Sequence, residues 1–163
     1  MSLKKHIPIL MLIVLLAGGS YLRIANIGKY SFWTDEFFAV YAAKSYMSEN
    51  SFYVPYEGEH PYRKLVVYIT GYMFKAFGES EASARMPFAI ANILFIILFY
   101  LFLSKMFSRR MSIVVCFIIA FSPLFIQMSR ECRSYTLHQL FYFLSATLFF
   151  IGFEYKENNK VIK

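Results

Sequence analysis

Residues 86–104 read MPFAIANILFIILFYLFLS, a stretch without one Asp, Glu, Lys or Arg. The hydrocarbon core of a bilayer is about 30 Å thick and takes roughly 17–25 helical residues to cross, so this run is long enough to span it. Three more runs free of those charges flank it, at 6–22, 111–129 and 134–153. The expected fold is therefore all-α and integral to the membrane, with about four transmembrane helices. Composition agrees, because 58% of the chain is hydrophobic and 20% aromatic, against roughly 45–50% apolar residues in soluble domains.

The formal charge of +7 would suit a nucleic-acid binder, but the basic residues sit at alternate ends of the runs. Lys4 and Lys5 precede the first; Lys105, Arg109 and Arg110 separate the second from the third; Lys156, Lys160 and Lys163 follow the fourth. Lys and Arg favour cytoplasmic loops. This predicts a multi-pass protein of the cell membrane with both termini and the 105–110 loop in the cytoplasm. Lipid headgroups are then sufficient partners for the basic excess, and no basic and aromatic stripe argues for nucleic acid. The first run also has the form of a signal peptide, with a basic start, an apolar core and the small residues Ala17, Gly18 and Gly19. Cleavage there would leave the later spans oriented as before. The two cysteines, Cys116 inside the third run and Cys132 beyond it, are placed for neither a mutual disulfide nor a metal spacing.

The chain reads as one membrane domain over 1–163, with a long external loop at 26–85. That loop holds most of the acids: Asp35, Glu36, Glu49, Glu57, Glu59, Glu79 and Glu81. Thr34, Asp35 and Glu36 read as a helix start, with a cap hydroxyl and acids at the positive dipole end. The following stretch to Met47 suits a helix on the membrane surface. Pro55, Gly58 and Pro61 break it. The apolar stretch 65–77 covers only about 20 Å as a helix, so it is expected to be interfacial or re-entrant rather than a span. Ser80 or Ser83 can cap the helix that enters the membrane near Arg85 and Pro87.

Several residues could carry chemistry. Asp35 and Glu36, just outside the first span, could serve as general base and as a ligand for a hydroxyl or metal; acids in a first helical turn also occur simply as caps. His60, beside Glu57 and Glu59, could carry a proton or be an ordinary loop histidine. Between the third and fourth spans, Ser129-Arg130-Glu131-Cys132-Arg133-Ser134-Tyr135 puts two arginines on a side where they are disfavoured. Arg130 and Arg133, on one helical turn, would share a face and clamp a phosphate, with Arg85 as a third positive charge. Glu131 offers the plain alternative of an interfacial salt bridge. A base for a hydroxyl together with cations for a departing phosphate is the set needed to move a sugar from a lipid phosphate.

The acid pair in Trp33-Thr34-Asp35-Glu36, the His60-Pro61 pair, the stretch from Gly78 to Pro87, and Ser122-Pro123 leading to the arginine segment together resemble the GT-C superfamily of membrane glycosyltransferases. The branch is that of protein O-mannosyltransferases and lipid A aminoarabinose transferases. The resemblance implies a polyprenyl-phosphate sugar donor and inverting transfer on the extracytoplasmic side to an acceptor of unknown identity. It also implies Asp35 as base and Arg133 on the phosphate; His60, Arg85, Arg130 and Tyr135 are the further substrate-binding candidates. Asp35 and Glu131 would then be candidate ligands for magnesium or manganese, hard cations suited to carboxylate oxygens. Two departures stand out: Tyr62-Arg63-Lys64 follows His60-Pro61 where the family continues with another proline and an apolar run, and members carry many more spans. The chain reads as an N-terminal portion, and the alternative is a truncated, non-catalytic protein that binds lipid phosphates. A transporter has less behind it, because no span has an ionisable residue at its middle.

Overall fold

The computed structural model describes residues 7–54, 58–59 and 63–161. Seven helices appear in them: α1 (Ile7–Ile24), α2 (Thr34–Glu49), α3 (Lys64–Phe77), α4 (Glu81–Met106), α5 (Arg109–Phe121), α6 (Pro123–Ser129) and α7 (Tyr135–Val161). A two-residue antiparallel ribbon, β1 (Tyr53–Val54) with β2 (Gly58–Glu59), lies between α2 and α3, with Tyr53 opposite Glu59. The molecule is thus an all-α membrane protein, and the ribbon is a detail of its long loop.

Two helices, α4 and α7, are long and apolar enough to cross a membrane. The run at 111–129, expected to be one helix, is instead broken into α5 and α6 at an angle of 60°. Pro123 is the reason. It has no N–H for the helix ladder and its ring clashes with the preceding turn, and it drives Ser122 into extended backbone at φ −65° and ψ 123°. The α5–α6 pair can serve as a third, broken span. Helix α1 is the shorter apolar helix that packs beside it.

Small residues set the close approaches. A Cβ on Gly19 would sit 3.3 Å from the Cβ of Ala120, and one on Gly18 would sit 3.1 Å from the Phe121 ring, so α1 and α5 meet nearly backbone to backbone. In the outer layer the alanine face of α2 (Ala39, Ala42, Ala43) is buried, and Gly71 of α3 leaves room for Met47. Helix α4 runs through the centre. Its Ala84, Phe88 and Ala89 are wholly buried, and Phe95 and Phe99 pack on Phe143 of α7. Outward faces such as Ile90 and Leu94 of α4, Phe117 and Ile118 of α5, and Leu148 and Phe149 of α7 are exposed, as lipid-facing surfaces are.

Two expected caps differ in detail. Helix α2 is capped at Trp33 rather than Thr34, and the Trp33 amide is held by the Glu36 carboxylate at 3.0 Å. At α4 both serines act. The Ser83 amide donates to Ser80 Oγ and the Ser80 amide to Ser83 Oγ, each at 3.1 Å, a reciprocal box that fixes how α4 enters.

Candidate functional site

At the end of the bundle where α4 begins, the loop after α1, the start of α2 and the α6–α7 connection meet around one buried ion pair. Glu36 is fully buried, although its residue type seldom is unless paired. Its Oε1 accepts from Arg85 Nε at 2.9 Å and from the Cys132 amide at 2.7 Å; its Oε2 accepts from Arg85 Nη2 at 2.7 Å and from the Trp33 amide at 3.0 Å. Burial alone would push the carboxyl up, but these hydrogen bonds, led by Arg85, outweigh it and hold Glu36 below its ordinary pKa.

Arg85 is equally occupied. Its Nη1 also donates to the carbonyls of Ile27 at 3.1 Å and Tyr30 at 2.7 Å, and its Nη2 to that of Ser31 at 3.0 Å. With the two bonds to Glu36, all five N–H donors of a guanidinium are used. The Phe32 ring covers it, 5.2 Å from centroid to Cζ. Arg85 therefore has no donor to spare for a phosphate in this arrangement, and it pins the loop 27–31 onto the start of α4.

This pair sets the position of its surface neighbours. Because Glu36 holds the amide of Cys132, the preceding acid on α2 lies beside the following residue of the loop: Asp35 Oδ2 is 2.8 Å from Arg133 Nη2. The Asp35 side chain is 53% exposed and that of Arg133 19%, so the pair lies at the mouth rather than in the core. Glu131 stands on the other side of the guanidinium at 3.6 Å and takes a 3.3 Å bond from Gln127. The Tyr135 ring lies under Arg133 with its centroid 4.5 Å away. Cys132 beneath has its Sγ 3.1 Å from Thr70 Oγ1, and burial pushes its thiol up to about 12, so it stays protonated.

The shared arginine face expected from the spacing is not what forms. Residues 131–134 leave the helix, and Arg130 turns the other way. Its Nη1 and Nη2 donate to the carbonyls of Leu22 at 2.7 Å and Asn26 at 3.1 Å, capping the end of α1. Only Arg133 faces the acid. His60 and Pro61 lie outside the described residues.

A second polar cluster was not foreseen. Arg23, in the last turn of α1, is fully buried. Its Nε donates to Asn92 Oδ1 at 2.6 Å and its Nη1 to the carbonyls of Gly19 at 2.9 Å and Ala120 at 2.7 Å, while Asn92 donates on to Gln139 of α7 at 2.8 Å. Among the described residues no carboxylate pairs with Arg23. Its charge meets the negative carbonyl end of α5, where the Pro123 break leaves acceptors open. The signals in the sequence were Asn92 inside an otherwise apolar run and the Ser122-Pro123 break.

Among the described residues no group of three His, Cys, Asp or Glu side chains comes together in a way that could hold a metal ion. Asp35 and Glu131 flank the same guanidinium, whose charge opposes a cation between them. As placed, the two carboxylates are arranged around an arginine.

The chain is an all-helical membrane protein with an acid, an arginine and an aromatic ring gathered at the end where α4 begins. Over residues 59–162 the chain matches the family described as dolichyl-phosphate-mannose-protein mannosyltransferase. The match covers more than half of the chain, which therefore belongs to that family of GT-C membrane glycosyltransferases. No curated protein and no solved structure matches it. Arg85, Glu131, Arg133 and Tyr135 fall inside the matched stretch, whereas Asp35 and Glu36 precede it.

Proposed function

We propose that this chain carries the charged catalytic end of an enzyme that moves a sugar from a polyprenyl-phosphate donor to an acceptor hydroxyl on the extracytoplasmic side, with inversion. The observation that carries the reading is the exposed Asp35–Arg133 pair at 2.8 Å, set over Tyr135 and locked in place by the buried Glu36–Arg85 pair behind it. Asp35 accepts the proton of the acceptor hydroxyl. The hydroxyl oxygen forms the new bond to the anomeric carbon as the bond from that carbon to the phosphate oxygen breaks, and the electron pair leaves with the phosphate. Arg133 neutralises that charge through its forked donors. A single displacement of this kind inverts the anomeric centre. The two side chains are paired with each other; an arriving phosphate competes for Arg133 and frees Asp35 for the acceptor.

The basic residues support this orientation. Lys105, Arg109 and Arg110 lie at the opposite end of α4 from Arg85, so a cytoplasmic position for them puts Asp35 outside. The test is transfer of radiolabelled sugar from polyprenyl-phosphate donors by membranes that contain the protein, with Asp35→Ala alongside. Transfer that survives the substitution unchanged sinks the base assignment. The second reading, a protein that binds lipid phosphates without turnover, is favoured by the engagement of the Asp35 carboxylate by Arg133 at 2.8 Å. It gains if folded protein retains donor through Arg133 yet transfers nothing.

A further inference from the structure

Arg23, Asn92 and Gln139 form a chain whose hydrogen bonds can run in only one direction. A guanidinium has donors and no acceptor, so Asn92 must meet Arg23 with its oxygen, at 2.6 Å. That leaves the Asn92 amide nitrogen to donate to Gln139 Oε1, at 2.8 Å, and the Gln139 amide nitrogen to face elsewhere. Arg23 and Asn92 are fully buried, whereas Gln139 is only half-buried. Its Nε2 donates to no group among the described residues. A relay that starts on a buried charge thus ends near the surface, on two N–H donors without an acceptor.

Gln139 follows Tyr135 by four residues on α7, so the two side chains share a face one turn apart, with about 5–6 Å between their Cβ atoms. Tyr135 is the ring under Arg133. The amide therefore lies one turn further into α7 than the proposed phosphate site, on its hydrocarbon side. Further along, Leu148 and Phe149 are exposed, as lipid-facing residues are. An amide N–H in an apolar layer is costly without an acceptor, and alkyl tails carry none. A lipid whose phosphate sits at Arg133 and whose chain enters the bilayer along α7 brings a phosphate oxygen to this turn.

We propose that Gln139 is a second hydrogen-bond donor to the phosphate of the lipid-linked sugar, on the tail side of Arg133, and that Arg23 holds it in the donating orientation through Asn92. This rests on the reading that Arg133 meets a lipid phosphate. Gln139 is then a substrate-binding residue, and Arg23 and Asn92 are positioning residues that never touch the substrate.

The test measures binding, so it does not depend on turnover. The purified full chain in lipid nanodiscs is titrated with a polyprenyl phosphate and with the polyprenol of equal length, which lacks the phosphate. A hydrogen bond to a charged group changes affinity by about tenfold or more. Gln139→Leu should weaken polyprenyl phosphate by that factor and leave polyprenol unchanged. Asn92→Asp is the sharper variant, because the new carboxylate still accepts from Arg23 but has no hydrogen to give Gln139. The Gln139 amide then turns over to donate to it and presents oxygen to the phosphate, so the same loss should appear with Gln139 in place. A merely structural relay would change both ligands alike, which overturns the proposal. Unchanged phosphate binding in Gln139→Leu, while Arg133→Gln loses it, overturns the role of Gln139 and leaves the phosphate at Arg133 standing. Unchanged binding in Arg133→Gln as well overturns both. A loss in Gln139→Leu without one in Asn92→Asp overturns the orienting role of Arg23. An equal loss for phosphatidylglycerol overturns the assignment to the sugar donor, since the amide would then take any lipid phosphate.

Discussion

Asp35 and Glu36 are neighbours on one helical turn, each has an arginine within 2.8 Å, and their surroundings have almost nothing else in common. The Glu36–Arg85 pair is buried and every donor around it is spoken for; in the Asp35–Arg133 pair the Asp35 side chain is about half open to solvent, and Arg133 has beside it only Glu131 and the Tyr135 ring. A buried pair loses heavily when one partner goes, because the other is left as an unpaired charge away from water. An exposed pair contributes little to stability and can be given up to a substrate. The first is suited to architecture and the second to chemistry.

The most severe test of that contrast is Glu36→Ala. It strands Arg85 and the amides of Cys132 and Trp33, and should destabilise the protein by about 3–5 kcal/mol, read as a lower unfolding midpoint and loss of monodisperse protein. A cost as small as that of a surface pair would break the comparison. Asp35→Asn should do the reverse. Its effect on the midpoint should stay within about 1 kcal/mol, while transfer falls by about 10²–10⁴-fold if Asp35 is the base. Equal destabilisation by the two substitutions would mean that the adjacent pairs work as one structural unit.

The same pair predicts an acid dependence. The folded Glu36 carboxyl lies below its ordinary pKa, so the unfolded chain takes up the proton first, near about pH 4.3 for an unperturbed glutamate. The stabilisation is complete above that pH and declines as pH falls through the lower folded value. The unfolding midpoint should drop on acidification below about pH 4, and Glu36→Gln should flatten that part of the curve.

Much of this arrangement is legible in the sequence. Uncharged runs mark the helices because the bilayer demands unbroken apolar length, and the bounds of α3 and the Ser80–Ser83 cap of α4 follow from local chemistry. The unequal roles of the two acids were harder to see, although a signal exists: Glu36 shares a helical stripe with Ala39, Val40 and Ala43, all buried, at the spacing of a core-facing surface. Two arginines three residues apart were legible as a pair only if the helix continued, and it stops at Ser129. Arg23 was not singled out, because nothing local records that the carbonyls left open by Pro123 would be brought to it from a helix almost a hundred residues away.

The smallest expected effect separates the two arginines of the α6–α7 connection. Arg130 donates to carbonyls at the end of α1, so Arg130→Gln should cost about 0.3–1 kcal/mol, the usual range for a cation at a helix C-terminus. It should change donor affinity little, because the guanidinium does not face Asp35. Arg133→Gln removes the charged donor proposed for the phosphate. A hydrogen bond to a charged group is worth about 1.5–3 kcal/mol, so the KM for a polyprenyl-phosphate donor should rise about tenfold or more. If Arg130→Gln raised KM as much as Arg133→Gln while leaving stability untouched, the two would be acting jointly on the phosphate. The loop would then have to turn on substrate binding to bring Arg130 away from α1. A small stability loss with an unchanged KM instead makes Arg130 the residue that seats the loop, leaving Arg133 to meet the donor.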